Sequence, residues 1–445
     1  IRHPMIHLPD KNACYSKVFL LIKSLFSISN HRQFMKKYLS GLMLAAAMTA
    51  TAADAPKAPA AASAKTASAP AATTASAASA AEAQTATPQV PELAATAYIV
   101  RDLQSNQTLG AKEANTQIEP AALTKLMVAY LVFQALDNGQ LKAEQSLKVS
   151  EHAWKAEGSR MFLSPDKPVA VADLLKGMIV QSANDATLTL AEALGEGNEA
   201  KFVQKMNDQA KRLGMLDTTF KNATGRAEDG HLSTVSDLAK LAGAIINDFP
   251  KYYPLFSMRS FTYNSIEQPN RNLLLYRDPS VDGMMSGHSP TAGYNLASSS
   301  RRNDRRVVAI AVGMESPESR AAESSKLLNW ALQAFDTPKL YSAGQIVTQV
   351  KVYKGEATAV NAGFLDAVYL TVPHGEGKNL KPILETEQPV VAPIRKGQVL
   401  GKVKLTYEGQ VLAEVKVAAL DAVEEAGLWG RIRDNLVLWW KQWFG

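Results

Sequence analysis

Between Pro120 and Leu136 the chain is apolar on nearly every side of a helix, and the one charge in that run is Lys125. A helix without a polar face has to be surrounded by protein. The segment therefore predicts a domain large enough to wrap it, with proline at the first turn, where a missing N–H is harmless. With 445 residues, 46% of them hydrophobic and 20% charged, the chain can bury two cores and still read as soluble and globular.

The formal charge is misleading. Residues 1 to 52 hold seven Lys or Arg and one Asp, a net +6, which equals the +6 of the whole chain, so the rest sums to zero. A neutral remainder carries no electrostatic footprint for nucleic acid. Met35-Lys36-Lys37, an apolar run from Tyr38 to Met48 and the small residues Ala50-Thr51-Ala52 have the form of a secretory signal over 35–52. Residues 1–34 read as an upstream translated extension, with a longer amphipathic leader as the rival reading. Cys14, the one cysteine, lies there, so an exported chain would have neither thiol nor disulfide.

Residues 53–92 are Ala, Ser, Thr and Pro with scattered charges and predict a flexible tether. From 93 to 336 the patterns alternate between helix and strand. Helices are expected at 171–180, 186–194, 199–213, 234–248 and 320–335, a hairpin near 96–108, and strands near 294–298 and 306–312. Residues 345–422 change to short alternating runs (350–353, 367–372, 401–407, 410–417), which predict a separate all-β domain. The fold class expected is mixed α/β followed by a small all-β domain and a C-terminal amphipathic helix at 427–445. On that helix Trp429, Trp439, Trp440 and Trp443 fall on one face with Ile432 and Leu436, and Arg433 sits inside the apolar arc. The face suits a bilayer interface; docking against the β domain is the alternative.

Three short motifs follow in order: Ala122-x-x-Lys125, Ser182-Ala183-Asn184 and Met285-Ser286-Gly287. Each alone is weak, and the flanking residues make them specific. Glu119-Pro120-Ala121-Ala122-Leu123-Thr124-Lys125-Leu126-Met127, Gly158-Ser159-Arg160-Met161-Phe162-Leu163, Gln181-Ser182-Ala183-Asn184-Asp185-Ala186, Asn270-Arg271-Asn272-Leu273-Leu274, Val281-Asp282-Gly283, Gly287-His288 and Ala292-Gly293-Tyr294-Asn295-Leu296 together resemble the low-molecular-mass penicillin-binding proteins, the serine-type D-alanyl-D-alanine carboxypeptidases. The likeness runs from about residue 93 to 445.

That resemblance implies a β-lactamase/transpeptidase-like catalytic domain, a β-rich second domain and a periplasmic protein held on the outer face of the inner membrane by its last helix. It implies release of the terminal D-alanine from peptidoglycan stem peptides through an acyl-enzyme, without a cofactor. Carried over residue by residue, Lys125 is the general base, Ser182 and Asn184 form the second-motif pair, Ser286 replaces a threonine beside Gly287, and His288 neighbours the oxyanion hole. Ala122 stands where the nucleophilic serine belongs, and Met285 where the carboxylate-binding lysine belongs.

Losing a serine nucleophile costs on the order of 10⁶ in turnover. Losing the lysine removes a charge-assisted hydrogen bond worth roughly 1.5 to 3 kcal/mol. Two independent losses point to a degenerate site that binds stem peptide or partners of the wall-synthesis machinery. The alternatives are a working carboxypeptidase with a rearranged site, and a non-catalytic membrane-surface scaffold. Of the substitute nucleophiles, Thr124 points about 100° away from Lys125 around the helix, whereas Ser182 reaches the cleft but stands where a relay group belongs. His231 and His288 lack metal-ligand spacing, and no metal is expected.

Overall fold

The computed structural model describes residues 88–444; the extension, the signal segment, Cys14 and most of the expected tether lie outside them. Residues 88–92 have no regular structure, yet Val90 packs against the sheet-and-helix core that includes Trp330. Val90 thus joins this core from inside the segment expected as a tether.

The first part is a five-stranded antiparallel sheet covered by helices on both faces. Its strands are β1 (Ala97–Asp102), β2 (Thr108–Lys112), β3 (Val281–Ser289), β4 (Gly293–Arg302) and β5 (Arg305–Met314), in the order β2-β1-β5-β4-β3. β3 is therefore an edge strand, and half of its backbone N–H and C=O groups turn away from the sheet.

One face of the sheet carries the main core, in which α1 (Lys125–Asp137) is buried at almost every position, as an all-round apolar segment requires. Around it pack α2 (Val171–Gln181), α3 (Asn184–Leu194), α4 (Glu199–Arg212) and α5 (Val235–Asp248). Local signals set their starts: Asn198 caps α4 through Ala200 N–H, and Thr234 caps α5 through Asp237 N–H. The opposite face is covered by α6 (Pro317–Ala334), with Ser316 as cap and proline in its first turn.

The expected helix from Pro120 differs at its start. Ala121–Thr124 is a 3-10 turn and the α-helix begins at Lys125, with Ala121 at φ +47°. Gly225 explains the constraint, since a Cβ there would lie 1.8 Å from the Ala121 carbonyl oxygen.

The second part is a six-stranded sheet with its own core. Its strands are β6 (Ile346–Tyr353), β7 (Ala359–Gly363), β8 (Lys381–Thr386), β9 (Val390–Val391), β10 (Val399–Tyr407) and β11 (Gln410–Ala419), ordered β8-β10-β11-β7-β6-β9. The strand expected at 367–372 is split into Val368–Tyr369 and Val372–Pro373, which pair with different partners. Polar groups join the two parts: Asp102 accepts hydrogen bonds from Arg305 and Thr337 at 2.7 Å each, and Gln107 Oε1 accepts from Thr371 N–H at 2.6 Å.

The last helix, α7 (Leu428–Phe444), is amphipathic, and its polar side faces the protein. Asp434, only 9% exposed, accepts from Lys354 N–H at 2.6 Å and from Arg433 Nε at 3.1 Å. Arg433 thus meets a carboxylate while most of its side chain stays exposed. Trp429 is 83% exposed, and Leu436, Trp439, Trp440 and Trp443 are each more than half exposed. Much of the apolar face is exposed. Among the described residues no helix is long and apolar enough to cross a membrane.

Candidate active site

A cleft of about 1140 Å³ runs between β3 and the helical side of the first domain, and residues of all three motifs line it: Ala122, Lys125, Ser182, Asn184, Ser286, Gly287 and His288. The 3-10 turn brings Ala122 to the cleft one turn ahead of Lys125. β3 passes it so closely that a Cβ on Gly287 would sit 3.3 Å from the Ala122 and Leu123 nitrogens. That close approach places the edge of β3 beside the position where a nucleophile would stand.

Lys125 lies on the cleft floor, 1% exposed, and its Nζ donates to Ser182 Oγ at 3.0 Å. Ser182 closes α2 in the left-handed region, φ +59°, and this turn aims its hydroxyl at the lysine. Burial brings the ammonium from the usual lysine value of 10.5 down to about 7; Arg271 adds repulsion, and Asp185 opposes both. Asp185 is occupied elsewhere, accepting from the Met161 and Leu163 N–H groups and so pinning the loop at the cleft mouth.

Asn184 lines the same cleft, but its Nδ2 donates to the Glu157 carbonyl at 2.6 Å and its backbone N–H to Ser159 O at 2.6 Å. Its amide holds the 157–159 loop rather than Lys125. Met285 differs from a cleft residue altogether: it is 2% exposed and belongs to the main core. A thioether gains by leaving water, whereas an ammonium at this point would need polar company.

Thr124 is fully buried and pairs with His231 Nε2 at 2.9 Å, while Lys221 N–H donates to Nδ1 at 3.1 Å. Burial drops the imidazole to about 4, so it is neutral. With Nδ1 accepting, the ring proton sits on Nε2 and is given to Thr124. In that tautomer His231 does not serve Thr124 as a proton acceptor.

Arg271 and Arg320 also line the cleft and received no role from the motifs. Arg271 donates through Nε to Gln181 O at 3.2 Å, and Arg320 donates to Arg271 O at 2.8 Å with its guanidinium over the Tyr294 ring. Burial, then the charge of Arg271, brings Arg320 down to about 10. Tyr294 also stacks on His288, ring centroids 4.0 Å apart. Arg271 stands inside the family-like stretch Asn270-Arg271-Asn272, a usable signal. Arg320 lies on α6, far along the chain, and only the fold brings it here.

Comparison with known proteins agrees with this arrangement. A family model described as D-alanyl-D-alanine carboxypeptidase matches residues 83–316, and one described as penicillin-binding protein 5, C-terminal domain, matches 335–425. The chain belongs to the D-alanyl-D-alanine carboxypeptidase family of penicillin-binding proteins. It is similar to the carboxypeptidase DacC of Escherichia coli, with 37% identity over 80% of this chain and 90% of that protein. DacA of Haemophilus influenzae is 36% identical over 78% and 90%. Among solved structures, penicillin binding protein 5 from Haemophilus influenzae superposes with a TM-score of 0.73 at 35% identity, covering 76% of this chain and 99% of that one. Penicillin binding protein 6B from Escherichia coli gives 0.63 at 32%, covering 74% and 96%. This carboxypeptidase-family chain keeps the family's α/β domain and β-rich second domain, and it carries alanine and methionine at Ala122 and Met285.

Proposed function

We propose that this chain binds the D-Ala-D-Ala end of peptidoglycan stem peptides without forming an acyl-enzyme. The observation that carries the reading is Ala122: a methyl group stands beside an otherwise furnished cleft, with Lys125 and Ser182 still 3.0 Å apart. A general base without a nucleophile has nothing to activate in the family's manner. Arg271 and Arg320 leave a cationic wall that suits the peptide's terminal carboxylate in place of the missing lysine. In this reading Ser286, Gly287 and His288 offer the edge of β3 to the peptide backbone.

The chain acts at the outer face of the inner membrane in the periplasm, with α7 lying in the interface. The exposed tryptophan face and the inward Asp434 support that placement. Proteins of wall synthesis are the further partners of such a surface-bound peptide reader. Titrating the full chain with a stem pentapeptide ending in D-Ala-D-Ala, and measuring binding and D-alanine release together, tests the reading. Saturable binding with no release is expected. Release at ordinary enzyme rates, or no binding at all, contradicts it.

A further inference from the structure

In this site Lys125 has no hydroxyl partner on its own helix. Among the described residues its Nζ has one hydrogen-bond partner, Ser182 Oγ, and no carboxylate within ion-pair distance. The charged groups that bear on it are Arg271, which disfavours the ammonium, and Asp185 on α3, whose oxygens already hold three backbone N–H groups. A buried amine in such surroundings keeps its lone pair available at neutral pH, and a neutral amine is a nucleophile in its own right.

We propose that Lys125 is a nucleophilic amine at the floor of the cleft and forms imines with small carbonyl compounds that carry a carboxylate. The lone pair of Nζ adds to the carbonyl carbon as the carbonyl π pair moves to oxygen. A proton passes from nitrogen to that oxygen, with the Ser182 hydroxyl placed to relay it, and water leaves as the C=N bond forms. No oxidant or reductant is consumed. Arg271 and Arg320 line the same cleft and supply the charge that holds the carboxylate. The depth of Lys125 restricts the reaction to small compounds.

The test uses the full chain with glyoxylate and cyanoborohydride, which reduces any imine to a permanent carboxymethyl group, followed by peptide mapping over pH 6 to 9. Lys155 is the internal reference, because it lines the same cleft and its side chain is 64% exposed. An exposed lysine is neutral in roughly one molecule in a few thousand at pH 7. Lys125 is expected to react at least about tenfold faster than Lys155 at pH 7, with the advantage shrinking toward pH 9 as exposed amines deprotonate. Acetaldehyde, which lacks the carboxylate, is expected to give a smaller preference for Lys125. Equal rates at the two lysines with glyoxylate overturn the nucleophile, and an undiminished preference with acetaldehyde overturns the carboxylate grip. No peptide takes part, so this outcome is independent of the stem-peptide reading. The comparison is made within one unmodified protein, so no variant has to fold.

Discussion

Lys125 Nζ and Ser182 Oγ lie 3.0 Å apart on the floor of a cleft in which the neighbouring first-motif position is an alanine. A buried lysine held near 7 opposes folding wherever the unfolded chain would carry it protonated. The unfolded group titrates near 10.5 and the folded one near 7. Stability from this group is therefore complete above the unfolded value and is lost as pH falls toward the folded one. Lys125→Met is expected to stabilise the protein by a few kcal/mol near pH 6 and by little near pH 10. Urea unfolding at the two pH values measures it, and an equal effect at both would remove the burial argument.

Acid sensitivity is expected from His231. Its folded value of about 4 lies below the usual 6.5, so the unfolded state binds more protons between those values and stability falls as pH drops through that window. His231→Gln is expected to flatten the dependence of the unfolding midpoint between pH 6.5 and 4. A curve as steep as the parent's would place the acid-sensitive group elsewhere.

Gly225 is the point at which the first-motif turn is set. With φ +81° and the Ala121 carbonyl 1.8 Å from any added Cβ, Gly225→Ala is expected to cost more than about 2 kcal/mol, since strain and overlap act together. Thermal unfolding reads this directly. A neutral substitution would show that the turn can shift and that its shape is not imposed by Gly225.

α7 turns the buried Asp434 toward the protein and leaves its tryptophans largely exposed. Removing residues 428–445 is expected to release the protein from anionic lipid vesicles in a sedimentation assay while leaving it folded, since the tryptophan face goes with the helix. The rest of the chain then gives up contacts that include Lys354 N–H to Asp434, a charge-assisted hydrogen bond worth roughly 1.5 to 3 kcal/mol. If the shortened chain still sediments with vesicles, attachment lies elsewhere.

Much of this architecture is legible in the residues, and the exceptions have physical causes. The all-round apolar pattern of α1 and the caps at Asn198, Thr234 and Ser316 are local signals; α4 and α5 begin within a residue of the expected positions, whereas α1 begins at Lys125 rather than Pro120 and α6 at Pro317 rather than Arg320. The 3-10 start at Ala121 was hidden because alanine gives no sign of a positive φ imposed by a distant glycine. The cleft's cationic wall was hidden for a related reason, as Arg320 reaches Arg271 only through the packing of α6 on the sheet. Motif spacing put Asn184 near Lys125; it lines the same cleft, and only the fold shows that its amide also donates to the Glu157 carbonyl.

If Ala122 leaves the cleft without a nucleophile, the chain takes no acyl group from a β-lactam. Exposure of the purified chain to a fluorescent penicillin, followed by denaturing electrophoresis, tests it most directly. The parent chain is expected to show no stable label. Ala122→Ser should give slow labelling, because it restores a hydroxyl in the cleft that holds Lys125 while the buried Met285 still offers no charge to the drug's carboxylate. Stable labelling of the parent chain at a cleft hydroxyl such as Ser182 would contradict the account and make this protein a working enzyme with a displaced nucleophile.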